Sequence, residues 1–299
     1  MKKRHVPVNL LSRHLYLLSV VGSLGAFLSG RVFGWPLELI VLTSSLLALA
    51  LGALLERVMP FETRWRLPLS DRRTDAVSAV TLLGLVDPAI KAALPILAVA
   101  LLPDSGVQPL FPTTVPFLLQ VLLAVAWIEF ALYWSHRAHH TVPALWWLHA
   151  LHHSSRRLYW LNNFRFHPIN HLLNTLVSML PLWLIGVPPE VLLGAAAVSQ
   201  PILMLQHANL DLRTGNLNGI FNTNEVHRWH HSTRPDEANA NFGSAFVLWD
   251  RVFGTYRHPS HATAPTSVGL FSDGAGYPSE QSYAWQLASM FKPPCCSKA

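Results

Sequence analysis

Cysteine is almost missing from this chain. Its two, Cys295 and Cys296, are adjacent at the far C-terminal end. That excludes a disulfide framework and leaves no cysteine near the histidines for a structural zinc site. The pair reads as part of a free tail, with lipidation as the alternative. Charge is also scarce: 13% of the 299 residues are Asp, Glu, Lys or Arg, against roughly 25% in a soluble domain. With 51% apolar residues and a mean hydropathy of +0.30, an ordinary soluble protein is excluded. His-Glu-x-x-His does not occur, so a zinc peptidase is excluded as well. No Gly-x-Gly-x-x-Gly follows a strand pattern, and there is no separate haem module. Any redox chemistry therefore takes its electrons from a partner.

What the chain does have is long apolar stretches. A bilayer core takes about 20 apolar residues, and four runs fit: Leu15–Phe33, Leu37–Leu55, Ala79–Leu102 and Val115–Trp134. A fifth, Leu172–Gln206, is too long for one span. Gly186-Val-Pro-Pro189 breaks it into two helices joined by a turn. Met1-Lys-Lys-Arg4 ahead of the first run resembles a secretory signal, but a second apolar run follows almost at once, so the first is read as a transmembrane helix. Basic residues cluster before the first run (Lys2, Lys3, Arg4, Arg13), after the second (Arg57 to Arg73) and after the fourth (Arg137 to Arg165). Residues Pro103–Thr114 carry none. The positive-inside rule then puts the N-terminus in the cytoplasm. The formal net charge of +6 is explained by anionic headgroups, without nucleic acid.

Histidine is the other surplus. Of sixteen, twelve lie between His136 and His231, where even spacing would put roughly five. Three sets share one spacing: His136, His139 and His140; His149, His152 and His153; His227, His230 and His231. On a helix, residues three and four apart share a face, so each set aims two or three imidazoles at one point. His139 and His140 compete for the partner position of His136. Three sets exceed the need of one four-coordinate metal and point to two metals. A transporter would bury its ligands at mid-membrane, whereas these lie at or beyond helix ends. Carboxylates are few in this region, Glu129, Asp211, Glu225, Asp236, Glu237 and Asp250 among them. The centre is thus expected to be held by neutral imidazoles rather than glutamates. His5, His14, His258 and His261 stand apart and are read as bystanders.

The motifs around these histidines resemble the fatty acid hydroxylase/sterol desaturase superfamily of membrane di-iron enzymes. They are Leu55-Glu-Arg-Val-Met-Pro-Phe61, Tyr133-Trp-Ser-His-Arg-Ala-His-His140, Trp147-Leu-His-Ala-Leu-His-His-Ser154 and Asn163-Phe-Arg-Phe-His-Pro168. Val226-His-Arg-Trp-His-His-Ser232, Asn241-Phe-Gly243 and Leu248-Trp-Asp-Arg-Val-Phe-Gly-Thr-Tyr256 complete them. The resemblance implies metal ligands at His136 and His140, at His149, His152 and His153, and at His227, His230 and His231. It adds His207, returned to the boxes by the long hairpin, and His167. His171, one turn beyond His167, is a further candidate that the family pattern does not demand. Asp250 and Arg251 are expected to tie the C-terminal segment to the boxes.

The implied activity needs two Fe ions, O2 as co-substrate and an external electron donor of cytochrome b5, ferredoxin or reductase type. Hydrogen is taken from an unactivated C–H bond of a membrane lipid (fatty acyl, sterol-like or isoprenoid), and a hydroxyl group is returned. Desaturation and ether-lipid oxidation of the alkylglycerol type are alternatives, and a non-catalytic scaffold is disfavoured by the three complete boxes. The expected fold is all-α: four transmembrane helices plus a membrane-inserted helical hairpin, capped by a cytoplasmic helical region carrying the boxes. One domain spans 1–265 with its histidine core at 115–257. Residues 266–299, rich in Ser, Ala, Gly, Pro and Thr, are read as a partly disordered tail. The expected location is a bacterial inner membrane, given the short chain and no evident endoplasmic-reticulum retrieval signal.

Overall fold

The computed structural model describes residues 10–67, 71–101, 110–259, 264–271 and 276–292. Cys295, Cys296, His5 and His261 lie outside them. Among the described residues there is no β-strand, only three isolated bridges.

Four helices are long and apolar enough to cross a membrane. α1 (Leu10–Phe33) and α2 (Leu37–Val58) form a hairpin whose turn contains Gly34 at φ +69°, a conformation that glycine adopts without strain. α2 leaves Leu42, Leu46, Leu47 and Leu54 more than half exposed, as expected where the solvent is lipid. The third span runs unbroken over Asp71–Leu101 as α3 (Asp71–Thr81), a π-helical turn (Leu82–Val86) and α4 (Asp87–Leu101). The fourth is α5 (Phe117–Thr141). Both α3 and α5 extend beyond the apolar runs, for physical reasons. The polar first turns of α3 are held by buried arginines: Asp71 pairs with Arg157 and Asp75 with Arg165, each at 2.8 Å. The last turns of α5 carry His136 to His140 into the cap.

α6 (Pro143–His153) follows directly after α5. The long apolar stretch forms α7 (Pro168–Leu184) and α8 (Pro189–Gln206), with Gly186 at φ +76° in the turn between them. α8 packs against α1, α2 and α5. It can sit between them because it presents Gly194, Ala195 and Ala197 to its neighbours. A Cβ on Gly194 would lie 2.7 Å from Val121 and 3.3 Å from Phe27, so small residues set this close approach.

The cap is completed by α9 (Asn224–His230), α10 (Pro235–Ala238), α11 (Leu248–Val252) and α12 (Tyr283–Ala288). Its loops are pinned by buried carboxylates. Glu129 accepts from the Ala245 and Phe246 N–H groups, Asp250 from those of Phe242 and Gly243, and Glu56 from those of Trp160 and Asn209. Asp250 thus ties the C-terminal segment to the boxes as expected, while Arg251 lies over the Tyr256 ring. Where described, the segment after residue 265 is folded back on the cap rather than hanging free. Phe271 stacks on Trp146 at 4.7 Å, Tyr277 and Tyr283 join the same core cluster, and Trp147 donates to Ser289. Its polar composition hid these aromatic anchors.

Candidate metal centre

Nine of the twelve candidate histidines converge in two groups. The first holds His136 and His140 from α5, His149 and His153 from α6, and His230 from α9. The second holds His152 from α6, His207 just past α8, His227 from α9 and His231 just past it. Within each group one nitrogen per residue lies within 4.8 Å of all the others. α6 and α9 serve both groups, so the two adjoin: the His153 and His231 rings stack at 4.3 Å, and those of His153 and His230 are 4.8 Å apart. Helix geometry accounts for the split. At about 100° per residue, His153 lies roughly 40° to one side of His149 and His152 roughly 60° to the other, so His152 and His153 diverge to opposite flanks of the shared face.

Most of the rings are held by a carbonyl on Nδ1. The backbone carbonyls of Phe242, Arg165 and Ala240 face His136 (2.9 Å), His152 (3.3 Å) and His230 (2.8 Å). A carbonyl can only accept, so each of these Nδ1 atoms carries the proton and Nε2 keeps its lone pair. The amide oxygens of Asn239, Asn170 and Asn162 do the same for His140, His149 and His207. The Asn162 amide is fixed by its own donation to Arg157 O and Ser155 Oγ. Tautomers of this kind are the second-sphere arrangement of metal-binding imidazoles.

In the His136–His149 pair both Nδ1 atoms are taken by carbonyls, so two Nε2 lone pairs face each other. Nε2 faces Nε2 at 3.0 Å in three pairs, His136 with His149, His207 with His227 and His227 with His231. Both nitrogens of His153, and Nε2 of His140 and His230, are buried without a hydrogen-bond partner. Burial pushes His207 down to about 3 and His230 to about 4. Burial and neighbouring imidazoles hold His149, His152, His153, His227 and His231 well below 6.5. These imidazoles are neutral at physiological pH, the form that binds metal. Buried, unpaired and mutually facing lone pairs are costly unless a cation joins them, so the residues fit a metal ion in each group.

His139, His167 and His171, candidates from the sequence, lie outside both groups. His139 Nδ1 bonds the Ser135 carbonyl one turn back. His167 caps α7, its Nδ1 accepting from the Ile169 N–H. His171 Nε2 faces Asp87 at 3.2 Å. No carboxylate belongs to either group among the described residues. The functional residues that sequence reasoning missed are Asn162, Asn170, Asn239 and the three orienting backbone carbonyls. The Asn-Phe-Gly and Arg-Phe-His-Pro motifs flagged their neighbourhood, but a backbone carbonyl has no signature of its own.

Asn162 offers a direct test of the orienting shell. Asn162→Ala is expected to weaken metal retention in the second group by roughly 10- to 100-fold and leave the first group's ion in place. Chelator titration of the purified protein measures this, and unchanged retention would contradict the assignment.

Four membrane-spanning helices beneath two adjoining, all-histidine groups define a membrane-bound histidine-box oxidoreductase. The chain belongs to the fatty acid hydroxylase family, whose profile matches residues 121–255. An ornithine lipid hydroxylase of Rhizobium tropici is 36% identical over 253 residues, 82% of this chain and 76% of the relative. A Delta(7)-sterol 5(6)-desaturase of Aspergillus fumigatus is 28% identical over 155 residues, 50% of this chain and 44% of its own length. An alkylglycerol monooxygenase of Caenorhabditis elegans is 32% identical over 79 residues, 26% of this chain and 16% of its own length. No solved structure matches the chain.

Proposed function

We propose that this protein is an O2-dependent di-iron oxygenase that hydroxylates an unactivated C–H bond of a membrane lipid. Ornithine-type aminoacyl lipids are the first substrates to try, because the relative named for that activity matches along most of both chains. The observation that carries the reading is the pair of adjoining groups built wholly from neutral imidazoles. The first iron would be held by His136, His140, His149, His153 and His230, and the second by His152, His207, His227 and His231. Bound there, the two ions would supply O2 activation, drawing on an external electron donor.

The chain's own residues supply orientation and exclusion of water. The carbonyls on Nδ1 hold the imidazole lone pairs in place without cost at the moment of reaction. Phe242, Trp146 and Phe166 pack against the histidine rings, keeping the surroundings apolar so that a reactive oxidant meets substrate before solvent. The neighbouring carboxylates are engaged by backbone N–H groups or arginines. The basic segments favour a cytoplasmic N-terminus and cytoplasmic boxes. Desaturation and ether-lipid oxidation would use the same centre, but the relatives bearing those names match shorter segments.

Lipid analysis of a deletion strain complemented with the wild-type gene or with His153→Ala tests this. The expected result is a lipid one oxygen atom heavier that returns only with the wild type. Loss of a double bond instead would make the enzyme a desaturase, and no change in any lipid would overturn the oxygenase reading.

A further inference from the structure

The polar face of α7 is more than the histidine groups require. Asn170, Asn174 and Ser178 recur at every fourth position of an otherwise apolar helix, flanked by His171 and Thr175. Its upper end reaches the site. Asn170 Oδ1 holds His149, and Asn174 accepts from Ser135, the residue before His136. Asn170 is fully enclosed and its Nδ2 has no hydrogen-bond partner. A buried donor left in that state is destabilising unless a ligand takes it.

The flank of the same stripe faces α4. Asp87, the residue just after the π-helical turn, holds Lys91 Nζ at 2.7 Å and His171 Nε2 at 3.2 Å. All three sit within or beside the third span, where ionisable groups facing lipid are costly and usually functional. π-helical turns also concentrate at functional sites. Asp87 differs from the other carboxylates around the histidines. Glu56, Glu129 and Asp250 are fixed by backbone N–H groups, and Asp71 and Asp75 by buried arginines. The partners of Asp87 are a lysine whose side chain is 70% exposed and a histidine 26% exposed, in contrast to the buried arginines that hold Asp71 and Asp75. The large cavity of the cap, about 1090 Å3 between Trp65, Arg228 and Phe271, is lined by none of the grouped histidines and does not explain substrate access.

We propose that the α4–α7 seam is a lipid-headgroup subsite in which Asp87 binds a protonated primary amine of the substrate, displacing Lys91. Asn170 Nδ2 donates to the headgroup further in, beside His149. The subsite rests on the lipid-hydroxylation reading above and names the headgroup chemistry that it selects.

The test is a binding competition that needs no turnover. Purified protein in phosphatidylglycerol nanodiscs is offered ornithine lipid and the same lipid with its headgroup amine acetylated, and the retained lipid is identified by native mass spectrometry. The wild type is expected to favour the free amine by about fivefold, the scale of one partly exposed charge pair. Asp87→Asn should abolish the preference and Asp87→Glu restore it. Lys91→Gln should increase it, because the resident competitor is gone; a merely structural pair would not behave so. An unchanged preference in Asp87→Asn, or weaker retention in Lys91→Gln, would overturn the subsite and leave the pair as an interfacial anchor. If the preference holds but iron-loaded protein supplied with O2 and a chemical electron donor hydroxylates neither lipid, the oxygenase reading fails and the subsite stands. If both lipids are hydroxylated equally and neither is preferred, the subsite fails and the oxygenase reading stands.

Discussion

Gly243→Ala is expected to keep the protein from accumulating in the membrane in folded form. A Cβ at residue 243 would overlap the Phe246 carbonyl oxygen and lie 2.7 Å from Asp250 Oδ2. Neither neighbour can give way. Phe246 N–H is bound by Glu129, and the Asp250 carboxylate is committed to the Phe242 and Gly243 N–H groups and the Thr255 hydroxyl. Asn241, two residues earlier, already stands at φ +56°, held there by bonds from its side chain to the Val226 and Arg257 carbonyls. A clash against fixed backbone belongs to the small class of substitutions costing about 4–5 kcal/mol or more, comparable with the whole stability of many domains. The loop also presents the Phe242 carbonyl to His136, so any protein that survives should lose metal from the first group. Detergent-extracted yield and thermal unfolding measure the effect. Wild-type yield with a wild-type midpoint would contradict the loop's role.

His153→Ala is expected to abolish hydroxylation and cut iron to about half, while His139→Ala leaves both near wild type. The two residues test the grouping sharply because each belongs to a box of the same spacing. His153 touches rings of both groups, and neither of its nitrogens has a hydrogen-bond partner in the protein. His139 turns its Nδ1 to the Ser135 carbonyl and belongs to neither group. Loss of a direct ligand should exceed the roughly 10- to 100-fold effect of losing one orienting partner. Turnover of lipid and iron content, measured on the same preparations, separate a missing ligand from a misfolded protein. Equal loss in both variants would contradict the assignment of ligands.

Helical periodicity made the histidine sets legible, since spacings of three and four residues bring side chains to one face whatever surrounds the helix. Which histidines of the three sets converge with which was not legible. His230 joins the α5 and α6 histidines while His227 and His231 join His152 and His207, a partition fixed by how α9 lies against α6. His167 and His171 lie outside both groups for local reasons: one caps α7, and the other meets a carboxylate arriving from α4. Hydropathy located the four spans but not their ends at the cap. α3 starts at Asp71 because Arg157 and Arg165 satisfy its acidic residues inside the cap, a tertiary effect that no window average contains. The folded-back C-terminal segment was hidden in the same way, its few aromatic anchors outweighed by polar composition.

The most direct test of the paired centre is the number of irons bound by purified wild-type protein after anaerobic reconstitution with ferrous iron, measured by elemental analysis against protein concentration. Two buried groups, each with at least four neutral imidazoles converging, predict two irons per chain. A single iron would contradict the pairing, and none would remove the basis for oxygen chemistry at this site.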